Sequence, residues 1–191
     1  MVDHIVRSYD KDLDALERRI AEMGGIAEKM VIDAMDALSQ ADTGLANQVV
    51  ATDARLDALQ REIEEQAILT IARRQPMAVD LREIVGAIRV AGDLERVGDL
   101  AKNIAKRSLK IGIEARVPRA IVGLRHMNDV ATELLKDVLD AYAQRDTERA
   151  RADLARGSTD APCARGRIAV CPQVPVASRR RECSSSSRMG S

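Results

Sequence analysis

From Leu13 onward the apolar residues keep one rhythm: Leu13, Leu16, Ile20, Met23, Ala27, Met30, Ala34 and Ala37 recur at alternating steps of three and four. Only an α-helix returns side chains to one face at that spacing, and a seam about four heptads long needs a partner helix to cover it. The residues available for a core narrow the choice further. Hydrophobic content is 46%, yet aromatics are 1%, with no Phe or Trp. A core of Leu, Ile, Val, Ala and Met suits helix-on-helix packing and little else.

Residues 40–44 read as a turn, with Asp42 or Thr43 available as N-cap. A second helix follows with Val49, Leu56, Leu59, Ile63 and Ala67 inward, ending near Arg74. Arg73 and Arg74 there put positive charge at the negative end of the helix dipole, and Pro76 suits the first turn of the next helix, where its missing N–H is no loss. The third helix carries Leu81, Ile84, Ile88, Ala91, Leu94, Val97, Ala101 and Ile104 as its expected packed stripe. Three long helices with short connections predict an antiparallel three-helix bundle over residues 1–112.

A displacement of 104 residues superimposes part of the chain on itself. Between residues 23–46 and 127–150 nine positions are identical, among them Met23/Met127, Ala27/Ala131, Asp36/Asp140 and Ala37/Ala141. The turn signal Gln40-x-Asp42-Thr43 recurs in register as Gln144-x-Asp146-Thr147. The predicted architecture is therefore all-α, with tandem three-helix bundles divided near residues 112–118. The second bundle is incomplete, limited to residues 118–154: a fourth helix and the start of a fifth.

The copy then fails, since the echo of Asp53 falls on Gly157. From about there the composition changes. Cys163, Cys171 and Cys183 all lie in this part, with Pro162, Pro172 and Pro175 and an Arg179–Arg181 run. Six arginines against Asp160 and Glu182 give residues 157–191 a charge of +4 and leave −4 on the remainder, since the whole is neutral. Residues 155–191 are expected to add nothing to a packed core. Three origins stay open for them: a disordered extension, a shifted reading frame, or sequence appended by cloning. The cysteine spacing is not that of a zinc site, and no histidine is near.

Several function classes lose support on composition. Zero net charge gives no basic face for nucleic acid at the whole-chain level, and the missing aromatics remove its stacking platforms. There is no Gly-rich phosphate loop, no nucleophile elbow and no HExxH. His4 and His126 lack the acid three residues before them that a ferritin-like di-iron bundle needs. No long apolar run or leader is evident near the N-terminus, so the expectation is an intracellular soluble protein that meets a membrane only through partners. Met23, Met30 and Met35 read as core filling.

One acidic pattern carries chemistry. Glu95 and Asp99 stand four apart on the third helix, a like-charge stacking that costs roughly 0.2–0.5 kcal/mol without a counter-ion. A cation held by acidic oxygens removes that cost, as does Lys102 screening Asp99 at i+3. On spacing alone a solvated face is the simpler reading. Both acids are expected nearly opposite the apolar stripe, as surface carboxylates without tuned pKa values. Asp53 and Asp57 repeat the spacing on the second helix, beside its stripe.

The stretches Arg74-Gln-Pro-Met-Ala-Val-Asp-Leu-Arg82 and Asp93-Leu-Glu-Arg-Val-Gly-Asp99, with Asn103-Ile-Ala105 after them, resemble the PhoU family, accessory regulators of bacterial phosphate-specific transport. The resemblance runs from about Tyr9 to Asp153, and the family's two similar three-helix bundles agree with the internal repeat. It implies a cytoplasmic, non-enzymatic regulator that couples the phosphate ABC transporter, with its ATPase subunit, to a sensor histidine kinase. That coupling keeps the phosphate-starvation response off when phosphate is plentiful. It also implies a surface metal cluster: the family's acid-x-x-x-Asp motif matches Glu95 and Asp99, and its second-helix acids match Asp53 and Asp57. Acid-only oxygen ligation suits Mg²⁺, Mn²⁺ or iron.

The sequence departs from the family in lacking a second copy of the Leu-Glu-Arg-x-Gly-Asp helix. Apolar positions such as Leu134, Leu135, Val138 and Leu139 must then be exposed, paired in a dimer, or packed on the first bundle. Exposed patches of that size drive association, so a homo-oligomer is expected. The alternative reading is a truncated helical-bundle protein that only self-associates and regulates nothing.

Overall fold

The computed structural model describes residues 2–76, 78–111 and 118–160, and their regular structure is entirely helical. In chain order the helices are α1 (Val2–Gln40), α2 (Thr43–Arg74), α3 (Ala78–Lys110), α4 (Pro118–Ala143) and α5 (Thr147–Asp160). α1, α2 and α3 pack on one another, α4 lies against α1, and α5 packs on α4.

Ion pairs give the register. The late part of α2 meets the early part of α1, with Arg74 on Asp12 at 3.1 Å, Arg19 on Glu62 and Arg55 on Glu22 at 2.7 Å. α4 also runs antiparallel to α1, through Arg125–Asp36 at 3.0 Å near one end and Arg145–Glu17 at 2.8 Å near the other. These exposed pairs each add at most about 1 kcal/mol, and their main value is to fix which residues face each other.

The core is the seam expected for α1. Leu16, Ile20, Met23, Ala27, Met30, Ala34 and Ala37 are buried, as are Val49, Leu56, Leu59, Ile63 and Ala67 of α2. Met35 is buried too, consistent with a packing role for the methionines. On α3 the observed face differs from the expected stripe. Ile84, Ala91, Leu94 and Ala101 are buried, but Leu81 and Ile104 are exposed, and the rest of the buried face is Ala87, Gly98, Ala105 and Ser108. The helix turns its small residues inward, because α3 must approach both α1 and α2 closely. A reading weighted by side-chain size placed the stripe too far toward the bulky positions.

Two glycines mark close helix approaches. A Cβ on Gly98 would overlap Leu56 Cδ2 of α2, a residue fully removed from solvent. A Cβ on Gly24 would stand 2.7 Å from Leu139 Cδ1, so α4 sits directly on the backbone of α1 there. Each glycine costs its helix about 1 kcal/mol relative to alanine. The close contact is what that cost makes room for.

The repeated turn is a structural repeat. Ala41 and Arg145 occupy the left-handed region at φ 63° and 54°. One residue on, Asp42 caps α2 by accepting from the Leu45 N–H at 2.9 Å, and Asp146 caps α5 by accepting from the Glu148 and Arg149 N–H groups at 3.1 and 3.0 Å. The amides of Asp42 and Asp146 donate back to the carbonyls of Ala37 and Ala141. α2 closes at Gln75, also left-handed at φ 47°, whose N–H donates to Ile71 O.

α5 is longer than expected. α5 runs through Gly157 to Asp160, past the end at Leu154. The boundary near residues 112–118 falls between α3 and α4, and residues 112–117 lie outside the described residues, as do Cys163, Cys171 and Cys183. Leu135 and Leu139 pack on the first bundle, Leu134 is half-buried and Val138 is exposed.

Candidate functional site

The four acids named by the sequence come together where α2 crosses α3. Gly98 lets the helices approach at Leu56. Asp53 and Asp57 flank Leu56 on one helix, and Glu95 and Asp99 flank Gly98 on the other. All four are half-buried. Glu95 and Asp99 therefore flank the packed face of α3 and do not stand opposite it. At about 100° per residue, turning the buried face toward Ala87, Gly98 and Ala105 carries the acids to its border.

Their charge has a built-in counter-ion. Lys102 Nζ donates to Asp53 Oδ2 at 2.7 Å across the helix–helix contact and also pairs with Asp99 Oδ1 on its own helix. The lysine side chain is 19% exposed and that of Asp53 13%, against 43% for Asp99. The hydrogen bonds to Asp53 and Asp99 hold the ammonium well above the usual lysine range. Glu95 is left outside this arrangement. Partial burial raises its pKa first, and the charges of Asp99, Asp57 and Asp53 raise it further, against a smaller pull downward from Lys102. The acids thus act on one another across two helices.

The donor chemistry is that of a hard-cation site, with carboxylate oxygens suited to Mg²⁺, Mn²⁺ or iron. The geometry is not. Among the described residues no three His, Cys, Asp or Glu side chains converge to hold one ion. The Lys102 ammonium already bridges the Asp53 and Asp99 oxygens. With the lysine in place, these residues do not fit a bound metal.

Lys102 is the functional residue that sequence reasoning half saw. Its screening of Asp99 followed from the i+3 spacing, but its bond to Asp53 did not. The available signal was Gly98, whose missing side chain announces a second helix close enough to be reached.

A groove elsewhere on the molecule has no counterpart in the sequence reading. It has a volume of about 480 Å³ and lies where α1 and α3 meet the α4–α5 turn, lined by Leu13, Glu17, Glu83, Tyr142 and Arg145 among others. Arg145 reaches Glu17 at 2.8 Å and Glu83 at 3.2 Å, tying the turn to two helices of the first bundle. Burial raises the Tyr142 hydroxyl pKa, and Glu17 and Glu83 raise it further. His126 is exposed on α4 and takes no part in either feature.

A three-helix bundle with an acidic edge, followed by two helices that repeat its first two, defines the class: a tandem helical-bundle protein without a catalytic constellation among the described residues. The PhoU domain model matches residues 20–108. The phosphate-specific transport system accessory protein PhoU homolog of Rhizobium meliloti is 52% identical over 148 residues, covering 77% of this chain and 62% of the relative. The homolog from Caulobacter vibrioides is 48% identical over 151 residues, covering 78% and 65%. The crystal structure of PhoU from Pseudomonas aeruginosa superimposes with a TM-score of 0.75 at 36% identity, covering 80% of this chain and 72% of that one. PhoU from Streptococcus pneumoniae, at 24% identity and a TM-score of 0.73, shares the fold. The chain belongs to the PhoU family. It spans 62–65% of the length of the two curated relatives. Among the described residues no helix is long and apolar enough to cross a membrane.

Proposed function

We propose that this chain is a non-enzymatic regulator of phosphate uptake. Its bundle surface binds the ATPase subunit of a phosphate ABC transporter and a sensor histidine kinase, and so couples transport to the phosphate-starvation response, on the cytoplasmic side of the membrane. The observation that carries this reading is the 52% identity to an accessory protein of the phosphate-specific transport system, in a match that spans 77% of this chain. Asp53, Asp57, Glu95 and Asp99 belong to the proposal as its cation-facing residues, and a divalent ion enters them only by displacing Lys102.

Co-purification tests it. The full chain, expressed in a bacterium that carries the transporter and the kinase, should retain both through a salt wash. Loss of both partners would leave the second reading, a bundle that only self-associates. That reading draws on the α4 surface, where Val122 is 71% exposed, with Met127 and Val138 also exposed. A homo-oligomer is proposed on the same ground. Light scattering that reports only a monomer across micromolar concentrations would rule it out.

A further inference from the structure

We infer that Lys102 is the resident cation of the α2–α3 acidic face and does there the job a divalent metal would do. That job is to bridge two helices that both present carboxylates. Lys102 performs it with a 2.7 Å bond to Asp53 of α2 and an ion pair to Asp99 of α3. This inference concerns the face alone and does not depend on partner binding, so either can fail without the other.

Three features keep the ammonium in place. The side chain is 19% exposed, unusual for a residue type that is nearly always solvated, so its stem is packed and its head is not sweeping through water. Both partners are fixed on rigid helices whose separation is set by Gly98 against Leu56. Asp53, the partner across the interface, is the least exposed of the three side chains, so its oxygen has little water to fall back on. A divalent ion arriving at these oxygens meets a positive charge within contact distance and must expel it.

Removing that charge while keeping the stem should therefore open the face. The test is a Mn²⁺ titration of the full chain, purified without a histidine tag, with free aquo-Mn²⁺ read by electron paramagnetic resonance. Wild type should show no stoichiometric uptake at micromolar Mn²⁺. Lys102→Met should gain binding of about tenfold or more, as expected when a like charge in contact is removed. Glu95→Gln in the Lys102→Met background should reduce that gain, and Lys102→Arg should stay closed. Stoichiometric Mn²⁺ uptake by wild type would overturn the inference, and that measurement holds even if Lys102→Met fails to fold. A folded Lys102→Met chain, checked by circular dichroism, that binds no better than wild type would overturn it as well.

Discussion

The first three helices and the last two are built from the same repeat, yet they differ in what they bury. α1–α3 enclose a continuous core in which residues such as Met23, Leu56, Ile63 and Ile84 are fully removed from solvent. Among the described residues of α4 and α5 only Ala141 and Asp153 are buried, and Val122, Leu124, Met127 and Val138 remain exposed. Three helices can close around a seam and two cannot. Stability should therefore concentrate in the first bundle, with α4 held to it by Leu135, Leu139 and Tyr142 and by the Arg145 and Arg125 ion pairs.

Truncating one side chain in each region tests that contrast directly. Ile63→Ala should cost about 2–5 kcal/mol, the range for truncating a fully buried aliphatic side chain in a packed core. Val138→Ala, on a side chain 46% exposed, should stay within about 0.5 kcal/mol. Urea unfolding of the two variants measures both. Comparable losses would mean that α4 is covered in solution and that the two regions are equally buried.

Glycine substitutions probe the same contrast at the backbone. In an open helix Gly→Ala gains about 1 kcal/mol of propensity. At Gly123 of α4 an added Cβ would meet nothing within 4 Å beyond its chain neighbours and the backbone of its own helix, so Gly123→Ala should stabilise by up to that amount. At Gly98 the same methyl meets Leu56 Cδ2, on a side chain fully removed from solvent. Overpacking there should cost about 1–3 kcal/mol and cancel or reverse the gain. Pairing Gly98→Ala with Leu56→Ala in a double-mutant cycle should return a favourable coupling, and independent effects would show that the two positions do not press on each other.

That glycine also marks the limit of what the sequence discloses. The α1 seam, the α2 face and both turns could be read directly, because each depends on local spacing or on a cap whose partners lie within a few residues. The spacing of the four acids could be read for the same reason, but only the family resemblance made them candidates for a cation. The face of α3 could not, since Ala87, Gly98, Ala105 and Ser108 carry little hydrophobic weight and are buried only because two other helices press on them. The Lys102–Asp53 bond and the Arg145 links to Glu17 and Glu83 depend on the crossing of distant helices, which no spacing rule supplies.

The two matching caps offer a smaller and cleaner test, since the chemistry is the same and only the surroundings differ. Removing an N-cap carboxylate costs about 1 kcal/mol. Asp42→Ala should register in global unfolding, because α2 is part of the closed core. Asp146→Ala should leave the global midpoint nearly unchanged and instead speed amide exchange in the first turns of α5, an element that packs on α4. A common shift of the midpoint in both variants would show that the two regions unfold as one cooperative unit.

The smallest effect expected lies within the first bundle, where burial and charge oppose each other. Glu95 has a raised pKa in the folded chain, from partial burial and from Asp99, Asp57 and Asp53. A carboxyl that binds its proton more tightly when folded makes folding less favourable as pH rises from its ordinary value of 4.5 through the raised one. Glu95→Gln should therefore be more stable than wild type at neutral pH, by about the 0.2–0.5 kcal/mol of a relieved like-charge pair. The difference should fade as pH falls well below 4.5, where the native side chain is itself neutral in both states. Paired urea melts at the two pH values read the difference, and its sign is the informative part. A loss of stability at neutral pH would mean that Glu95 is held by a cation stronger than its neighbours' repulsion, and Lys102 would then be shared among three carboxylates and not two.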